Sequence, residues 1–396
     1  MDLDRIIEAR LAERQRANQL RCRPIIRRID CTHIELNGRR LLQFASNDYL
    51  GLSFDQEIQQ AANEAMQIHG LGSGAAGLLG GYTAAHARAE EALARWKGTG
   101  NAVLLPSGYQ ANLAAVQAFA AVGGMAGGSG VRFLVDKLAH ASLIDAVRAT
   151  GMTVRFFPHN HLDKLNRLLA DAPVDQMQVV VTESIFSMDG DAADLRGLAE
   201  LKKIHPFFLL LDEAHAGGVY GPGGSGYAAE LGLQGLADVT VVTFSKAMGC
   251  IGGAVCGSDA FCQGVVNWGR AYIYSTSILP AIAAAIAKSI EVIGRQPKWQ
   301  EQLRQRSRQL RTELAHRRQV VGLADCPIVP LILKEEQQAM KLARQLQDKG
   351  FWVSAVRPPA VPRGTSRLRM TVCARHTETQ IQELARNLDE AMNARA

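Results

Sequence analysis

Four short segments of this 396-residue chain place reactive side chains at the ends of apolar runs. Val239-Thr-Val-Val-Thr243-Phe-Ser245-Lys246 ends a strand-like run in two hydroxyls and an amine. Lysine is scarce here, 11 residues against 33 arginines, and burial favours the neutral, nucleophilic amine that a Schiff base requires. Leu209-Leu-Leu-Asp212-Glu-Ala-His215 delivers a carboxylate and then an imidazole; an Asp there can hold a cationic ring nitrogen, and the His can bond a phenolic oxygen. Pro106-Ser-Gly108-Tyr109-Gln-Ala-Asn112 reads as a strand-to-helix turn whose glycine and free helix N–H groups suit a phosphate. Val135-Asp136-Lys-Leu-Ala-His140-Ala-Ser142 sets a histidine just past another strand. Ser187, beyond Val179-Val-Val-Thr-Glu183, is a weaker candidate of the same kind.

Taken singly, each segment also has a purely structural reading. Asp212 could cap a helix ahead of a core histidine, Lys246 could snorkel from a strand mouth, and the Gly108 turn could be an ordinary cap. One ligand uses all four at once: a phosphorylated pyridine aldehyde needs a Schiff-base lysine, an Asp on its ring nitrogen, a phosphate cup and a flanking ring. That ligand is pyridoxal phosphate. The 34-residue interval from Asp212 to Lys246 suits neighbouring strands. Two Gly-x-Gly-x-x-Gly matches, from Gly72 and from Gly221, lack the strand before and helix after that a dinucleotide site needs. Walker A, Gly-x-Ser-x-Gly and His-Glu-x-x-His motifs are missing, and His159 and His161 lack a third metal ligand, so no metal is expected.

The elements that must position these groups follow from the apolar rhythm. Runs at 102–106, 131–135, 153–157, 178–182, 207–211, 238–243 and 252–256 alternate with helical stretches, which predicts a mostly parallel sheet covered on both faces by helices. Leu3, Ile6, Ile7 and Leu11 predict an amphipathic N-terminal helix. Past residue 290 a charged helix over Lys298–Arg318, runs at 328–333, 352–354 and 368–372 and a last helix predict a smaller α+β domain. The expected division is an N-terminal segment 1–45 packing with the small domain, a large α/β domain 46–290 and the small domain 291–396.

With these residues in place, the chain resembles the α-oxoamine synthases, a family of fold-type-I pyridoxal-phosphate enzymes. The likeness runs from Phe44-Ala-Ser-Asn47-Asp-Tyr-Leu-Gly-Leu52 to Cys373-Ala-Arg-His376 and rests also on Phe186-Ser-Met-Asp-Gly-Asp191, Asp212-Glu-Ala-His215, Thr243-Phe-Ser-Lys246 and Tyr274-Ser-Thr-Ser277. Arg357-Pro-Pro-Ala-Val-Pro362 and Gly364-Thr-Ser-Arg-Leu-Arg369 look most like the biotin-pathway members. The resemblance implies the following roles. Lys246 holds the cofactor and shuttles the substrate's α-proton, Asp212 pairs with the pyridinium, and His140 stacks on the ring. His215 and Ser187 address the phenolic oxygen, while Gly108, Tyr109 and Thr243 hold the phosphate. Asn47 and Arg369 grip the amino-acid carboxylate, and Arg21 meets the acyl substrate.

The resemblance further implies decarboxylative condensation of L-alanine with a pimeloyl thioester of coenzyme A or acyl carrier protein, in a homodimer. A sibling activity joining glycine or serine to another acyl-coenzyme A, and an aminotransferase, are the alternatives. Ala360 stands where the biotin-pathway pattern often has Thr, and Ala75 and Ala76 stand where relatives often carry a small polar residue.

Composition bounds these readings. Hydrophobic residues at 47% and charged residues at 21% exclude a disordered or coiled-coil chain. A net charge of +6 with 6% aromatics gives no concentrated basic face for nucleic acid, and the Arg-rich stretches 5–28 and 304–318 read as solvated helix faces. The longest apolar run, Ile278 to Ala287, is too short to span a bilayer. Asp2 and Asp4 stand where a signal peptide carries bases, and the cysteines at 22, 31, 250, 256, 262, 326 and 373 form no Cys-x-x-Cys pair. They read as small buried hydrophobes in a reducing, cytoplasmic setting.

Overall fold

The computed structural model describes residues 2–125, 130–173, 175–317 and 319–393. They form two compact units: residues 48–187 with 192–301, and residues 1–47 with 188–191 and 302–396.

The first unit is built on a seven-stranded sheet among the described residues. Its strands, in chain order, are β1 (Asn101–Leu105), β2 (Val131–Asp136), β3 (Thr153–Phe157), β4 (Met177–Glu183), β5 (Phe208–Asp212), β6 (Val239–Thr243) and β7 (Gly253–Gly257). They lie in the order β1-β7-β6-β5-β4-β2-β3, and only β7 runs against its two neighbours. The expected mostly parallel sheet is therefore present, with each strand close to its apolar run. Continuous apolar runs make sense because successive side chains feed two different cores. Phe133, Val135, Val179, Val181 and Leu210 pack on one face against Ala111, Ala115 and Phe119 of α1 (Gly108–Met125). Leu134, Val180, Leu209 and Leu211 pack on the other against Leu165, Leu195 and Leu198. Each buried Leu, Val or Phe contributes about 1.5–3 kcal/mol relative to exposure. The alternation therefore fixes the register strongly, since a slip by one residue would exchange the two faces. The alanines of α1 bring its axis close to the sheet.

The second unit is α+β. Ile328–Lys334, Ser366–Thr371 and Ser354–Val356 form an antiparallel sheet in the order first, second, third, with helices Glu336–Asp348 and Glu378–Asn393. A hairpin, His33–Leu36 and Arg39–Gln43, turns at Asn37-Gly38, both with positive φ, and Phe351–Trp352 adds parallel to it. The segment 188–191 belongs to this unit: Arg367 Nη1 donates to Asp189 Oδ1 at 2.6 Å and to the Met188 carbonyl at 3.1 Å.

Three expectations are corrected. The N-terminal helix ends at Arg16, where Asn18 enters the left-handed region, so Arg21, Arg23, Arg27 and Arg28 are not on a helix; Pro24 prevents its resumption. The charged helix runs Pro297–Glu313, and Arg318 lies outside the described residues. Cys22 is exposed and Cys31 and Cys250 are half-buried, so only four of the seven cysteines are core residues. Burial pushes the Cys256 and Cys262 thiols up to about 12, which leaves them protonated and unreactive.

His376 anchors the second unit. Its ring stacks on Phe44 at 4.1 Å, Nδ1 accepts the Cys373 N–H at 3.0 Å and Nε2 donates to the Gln43 carbonyl at 3.1 Å. Burial lowers its pKa to about 3. The unfolded chain protonates this histidine near 6.5, so between the two values the unfolded state binds more protons and stability falls as pH drops. About 2 kcal/mol should be lost from this group between pH 6.5 and pH 5. His376→Gln, less stable at pH 7, should then show a flatter decline of the urea midpoint from pH 7 to 5. Equal slopes for the two proteins would refute the assignment.

Candidate active site

The carboxyl ends of β1, β2, β4, β5 and β6 open on one edge of the sheet, where ligands of open α/β sheets bind. A cavity of about 220 Å³ lies there. Of the sequence-derived candidates, Gly108, Tyr109, His140, Asp212, His215, Thr243 and Lys246 all line it. Ser187 belongs to the same unit but is not among the lining residues. Asn47, Arg369 and Arg21 belong to the other unit. A wider groove of about 980 Å³ elsewhere on the first unit, lined by alanines such as Ala61, Ala84 and Ala284 together with Glu64, His69 and Lys288, contains none of the sequence-derived candidates.

Three fully buried leucines, Leu209, Leu210 and Leu211, carry Asp212 to the cavity floor, where the carboxylate is itself nearly inaccessible. It accepts the Ala214 N–H on Oδ1 and the Asn112 amide on Oδ2, both at 2.8 Å. Glu213, the next residue, is buried with Lys97 as its ion-pair partner and accepts the Ala228 N–H at 3.0 Å, which fixes the backbone on the far side. The same Asn112 amide group also donates to Ser142 Oγ at 2.8 Å, leaving that hydroxyl to donate to His140 Nδ1 at 2.8 Å. A hydrogen-bonded path thus joins the Asp212 carboxylate to the His140 ring. Desolvation lowers the His140 pKa; the Asp212 carboxylate opposes this and the Lys246 ammonium reinforces it. The ring is therefore a neutral aromatic face at neutral pH.

His215 is buried and shares a 2.7 Å hydrogen bond with the Tyr49 hydroxyl through Nδ1. Lys246 follows β6 in a tight turn whose carbonyl accepts the Gly249 N–H at 2.9 Å. Thr243 Oγ1 donates to the Gly252 carbonyl at 2.9 Å and lies 3.0 Å from Ser245 Oγ. Opposite, Ser107 caps α1 by accepting the Gln110 N–H on Oγ at 3.2 Å and the Ala111 N–H on its carbonyl at 3.0 Å, which leaves the Gly108 and Tyr109 N–H groups at the helix start for a ligand. The cup depends on glycine: a Cβ on Gly253 would come within 2.6 Å of Gly108 Cα, and one on Gly108 within 3.2 Å of Thr243 Oγ1.

Pyridoxal phosphate fits this donor set. The helix start with Thr243 and Ser245 suits its phosphate, Asp212 its pyridinium, Lys246 its aldehyde and His140 its ring face, while Asn112 Oδ1 is a buried acceptor with no partner of its own. Sequence reasoning noted Ser245 only as a strand-end hydroxyl and gave Asn112, Ser142, Tyr49 and Glu183 no role. Asn112 is one helical turn past Gly108 and Glu183 ends an apolar strand, so both carried a positional signal; Tyr49 carried none, being 166 residues from its partner.

In the second unit, Arg369 Nη1 donates to Asn47 Oδ1 at 3.1 Å, so the two residues expected to act together are in contact. Arg357 donates to the Asn18 carbonyl at 2.6 Å; its pKa is lowered by burial and by the nearby Arg21 guanidinium, so two cations crowd one place.

Gly253→Ala should displace the Gly108 turn and weaken pyridoxal phosphate binding by tenfold or more, roughly one charge-assisted hydrogen bond. Pyridoxal without the phosphate should bind the variant and the parent alike. Fluorescence titration of the two cofactor-free proteins checks both, and an unchanged phosphate-ester affinity would remove Gly108 from the cup.

A family model for class I and II aminotransferases matches residues 39–388. The 8-amino-7-oxononanoate synthase of Pseudomonas putida is 39% identical over 390 residues, covering 97% of this chain and 96% of its own. A putative 8-amino-7-oxononanoate synthase of Geobacillus kaustophilus is 39% identical over 347 residues, 87% of each chain. Among solved structures, serine palmitoyltransferase from S. paucimobilis, with PLP and myriocin bound, superposes with a TM-score of 0.92 at 30% identity, covering 100% of this chain and 99% of its own.

Proposed function

The chain belongs to the class I and II aminotransferase family and, within it, to the α-oxoamine synthases; we propose that it performs the 8-amino-7-oxononanoate synthase reaction of biotin biosynthesis. In that reaction L-alanine and a pimeloyl thioester give 8-amino-7-oxononanoate, carbon dioxide and the free thiol. The observation that carries this reading is the set of Asp212, Lys246, His140 and the Gly108 cup around one cavity in a chain 39% identical to named synthases.

Pyridoxal phosphate, when bound, supplies an electrophilic carbon and an electron sink. The chain's own residues do the rest. Asp212, buried and twice hydrogen-bonded, would hold the protonated pyridine nitrogen. His140 presents a neutral ring face that orients the cofactor and covers it from water. With the Tyr49 hydroxyl donating to Nδ1, His215 would keep an Nε2–H to offer the phenolic oxygen, and Ser187 is assigned to the same oxygen. Thr243, Tyr109 and Gly108 hold the phosphate. Lys246 would hold the cofactor through its aldehyde carbon, and its amine would move the proton at the alanine Cα. Arg369, with Asn47, takes the alanine carboxylate. Arg21 takes the acyl substrate, on coenzyme A or acyl carrier protein; both carry phosphate groups, and the crowding of Arg21 with Arg357 favours an anion beside them. The reading places the enzyme in the cytoplasm.

The active species is a homodimer. Leu79 is 82% exposed and Tyr274 73%, and their segments are bridged at Ala76 and Thr276, which puts apolar surface in one patch of the first unit. Size-exclusion chromatography with light scattering should give twice the 42.9 kDa chain mass, and an active monomer would overturn this.

The serine palmitoyltransferase likeness favours one second reading, a synthase using serine and a longer acyl chain. Thiol release separates the two. The cofactor-loaded protein should release thiol from pimeloyl-coenzyme A with L-alanine, giving a decarboxylated product, and not with serine or glycine. Lys246→Ala should abolish release while leaving the circular dichroism spectrum unchanged. Release with serine alone would replace the substrate assignment, and full activity in Lys246→Ala would remove the Schiff-base lysine.

A further inference from the structure

Three acidic side chains end three neighbouring parallel strands: Asp136 on β2, Glu183 on β4 and Asp212 on β5, with β4 in the middle. Glu183 is registered directly against Asp212, and no more than 4% of any of the three is exposed. The outer two are well provided with donors. Asp136 accepts the Leu138 and Asn160 N–H groups at 2.8 and 3.2 Å and faces His159 Nδ1 at 3.1 Å. Asp212 has the Ala214 N–H and the Asn112 amide. Glu183 accepts only the backbone N–H of His140, and its Oε1, although buried beside the cavity, has no hydrogen-bond partner.

Strands in a sheet are about 4.8 Å apart, so the registered Glu183 and Asp212 carboxylates, on one face of the sheet, would repel strongly when buried; Asp136, one step beyond the Val135–Val181 pair, points to the other face. The proton goes to the one with the fewest donors. Burial first, and then the Asp212 carboxylate, push the Glu183 pKa far up; Lys246 and the His140 N–H pull the other way and do not prevail, and the more remote Asp136 adds least.

We propose that Glu183 is a positioning residue that works as a neutral carboxylic acid. One oxygen holds the His140 backbone and so sets the ring that covers the cofactor. Its uncharged state leaves Asp212 as the one anion directly beneath the pyridine nitrogen, so the electron sink is tuned by a single negative charge. This inference rests on the pyridoxal phosphate reading of the cavity.

The test is the pH titration of the visible absorption band that the bound cofactor owes to Lys246, together with cofactor affinity from fluorescence titration of the cofactor-free protein. Glu183→Gln keeps the shape and the acceptor and carries no charge, so its band should titrate within about 0.3 pH units of the parent. Glu183→Ala removes the acceptor and should lower affinity about tenfold, the cost of one such hydrogen bond, with Gln restoring most of it. A Gln midpoint lower by a unit or more would show that an anion had been removed and would overturn the inference, as would an Ala variant with parental affinity. Should Glu183→Ala fail to fold, the Gln midpoint decides alone. A parent protein with no Lys246-dependent band would sink both the cofactor reading and this inference; a normal parent band with a shifted Gln midpoint sinks this inference alone.

Discussion

A carboxylate buried at the ends of the strands is the constraint on which the rest of this structure depends. An ionised Asp212 is costly to bury unless donors meet it, and the fold supplies them from two directions. The Ala214 N–H comes from the turn that follows the strand, and the Asn112 amide comes from α1 across the sheet edge. Both require that the strand stop at one place and that the helix start at another. The buried Lys97–Glu213 pair next to Asp212 acts in the same sense, pinning the residue that follows it. Asn112 then transmits the constraint through Ser142 to the face of His140.

The phosphate cup is governed by volume rather than charge. β7 runs against its neighbours, so its amino end, at Gly252 and Gly253, arrives at the same edge as the carboxyl ends of the parallel strands. A Cβ on Gly253 would press into the Gly108 backbone, and one on Gly108 would crowd the Thr243 side chain. The alanine-rich face of α1 serves the same purpose along its length, letting the helix start sit deep against the sheet. A positive helix end is thereby brought to the edge where Lys246 and Asp212 already stand, and one small anionic aromatic ligand can meet all three.

Specificity within the family is written in other residues. The cofactor-facing groups serve any α-oxoamine synthase, and the high structural likeness to a serine palmitoyltransferase reflects that shared core. The likeness to 8-amino-7-oxononanoate synthases is in the sequence as a whole.

The sequence by itself determined the strands, their parallel arrangement and the four reactive segments. Short continuous apolar runs bounded by turn residues read as strands buried on both faces, and polar residues at their ends are conspicuous against them. Asp212, Lys246, Gly108 and His140 were legible for that reason, and the Arg21–Arg28 stretch was misread because exposed arginines carry no periodic signal strong enough to mark where a helix stops. Tertiary structure alone decided the partnerships. Asn112 is 100 residues from Asp212 and Tyr49 is 166 from His215, and nothing local to any of them states the pairing. The protonation of Glu183 belongs to the same class, because it depends on which strands are neighbours in the sheet and on how many donors each acid receives. Those are properties of the folded arrangement, since charges interact through space and the chain order of β2, β4 and β5 does not give their distances.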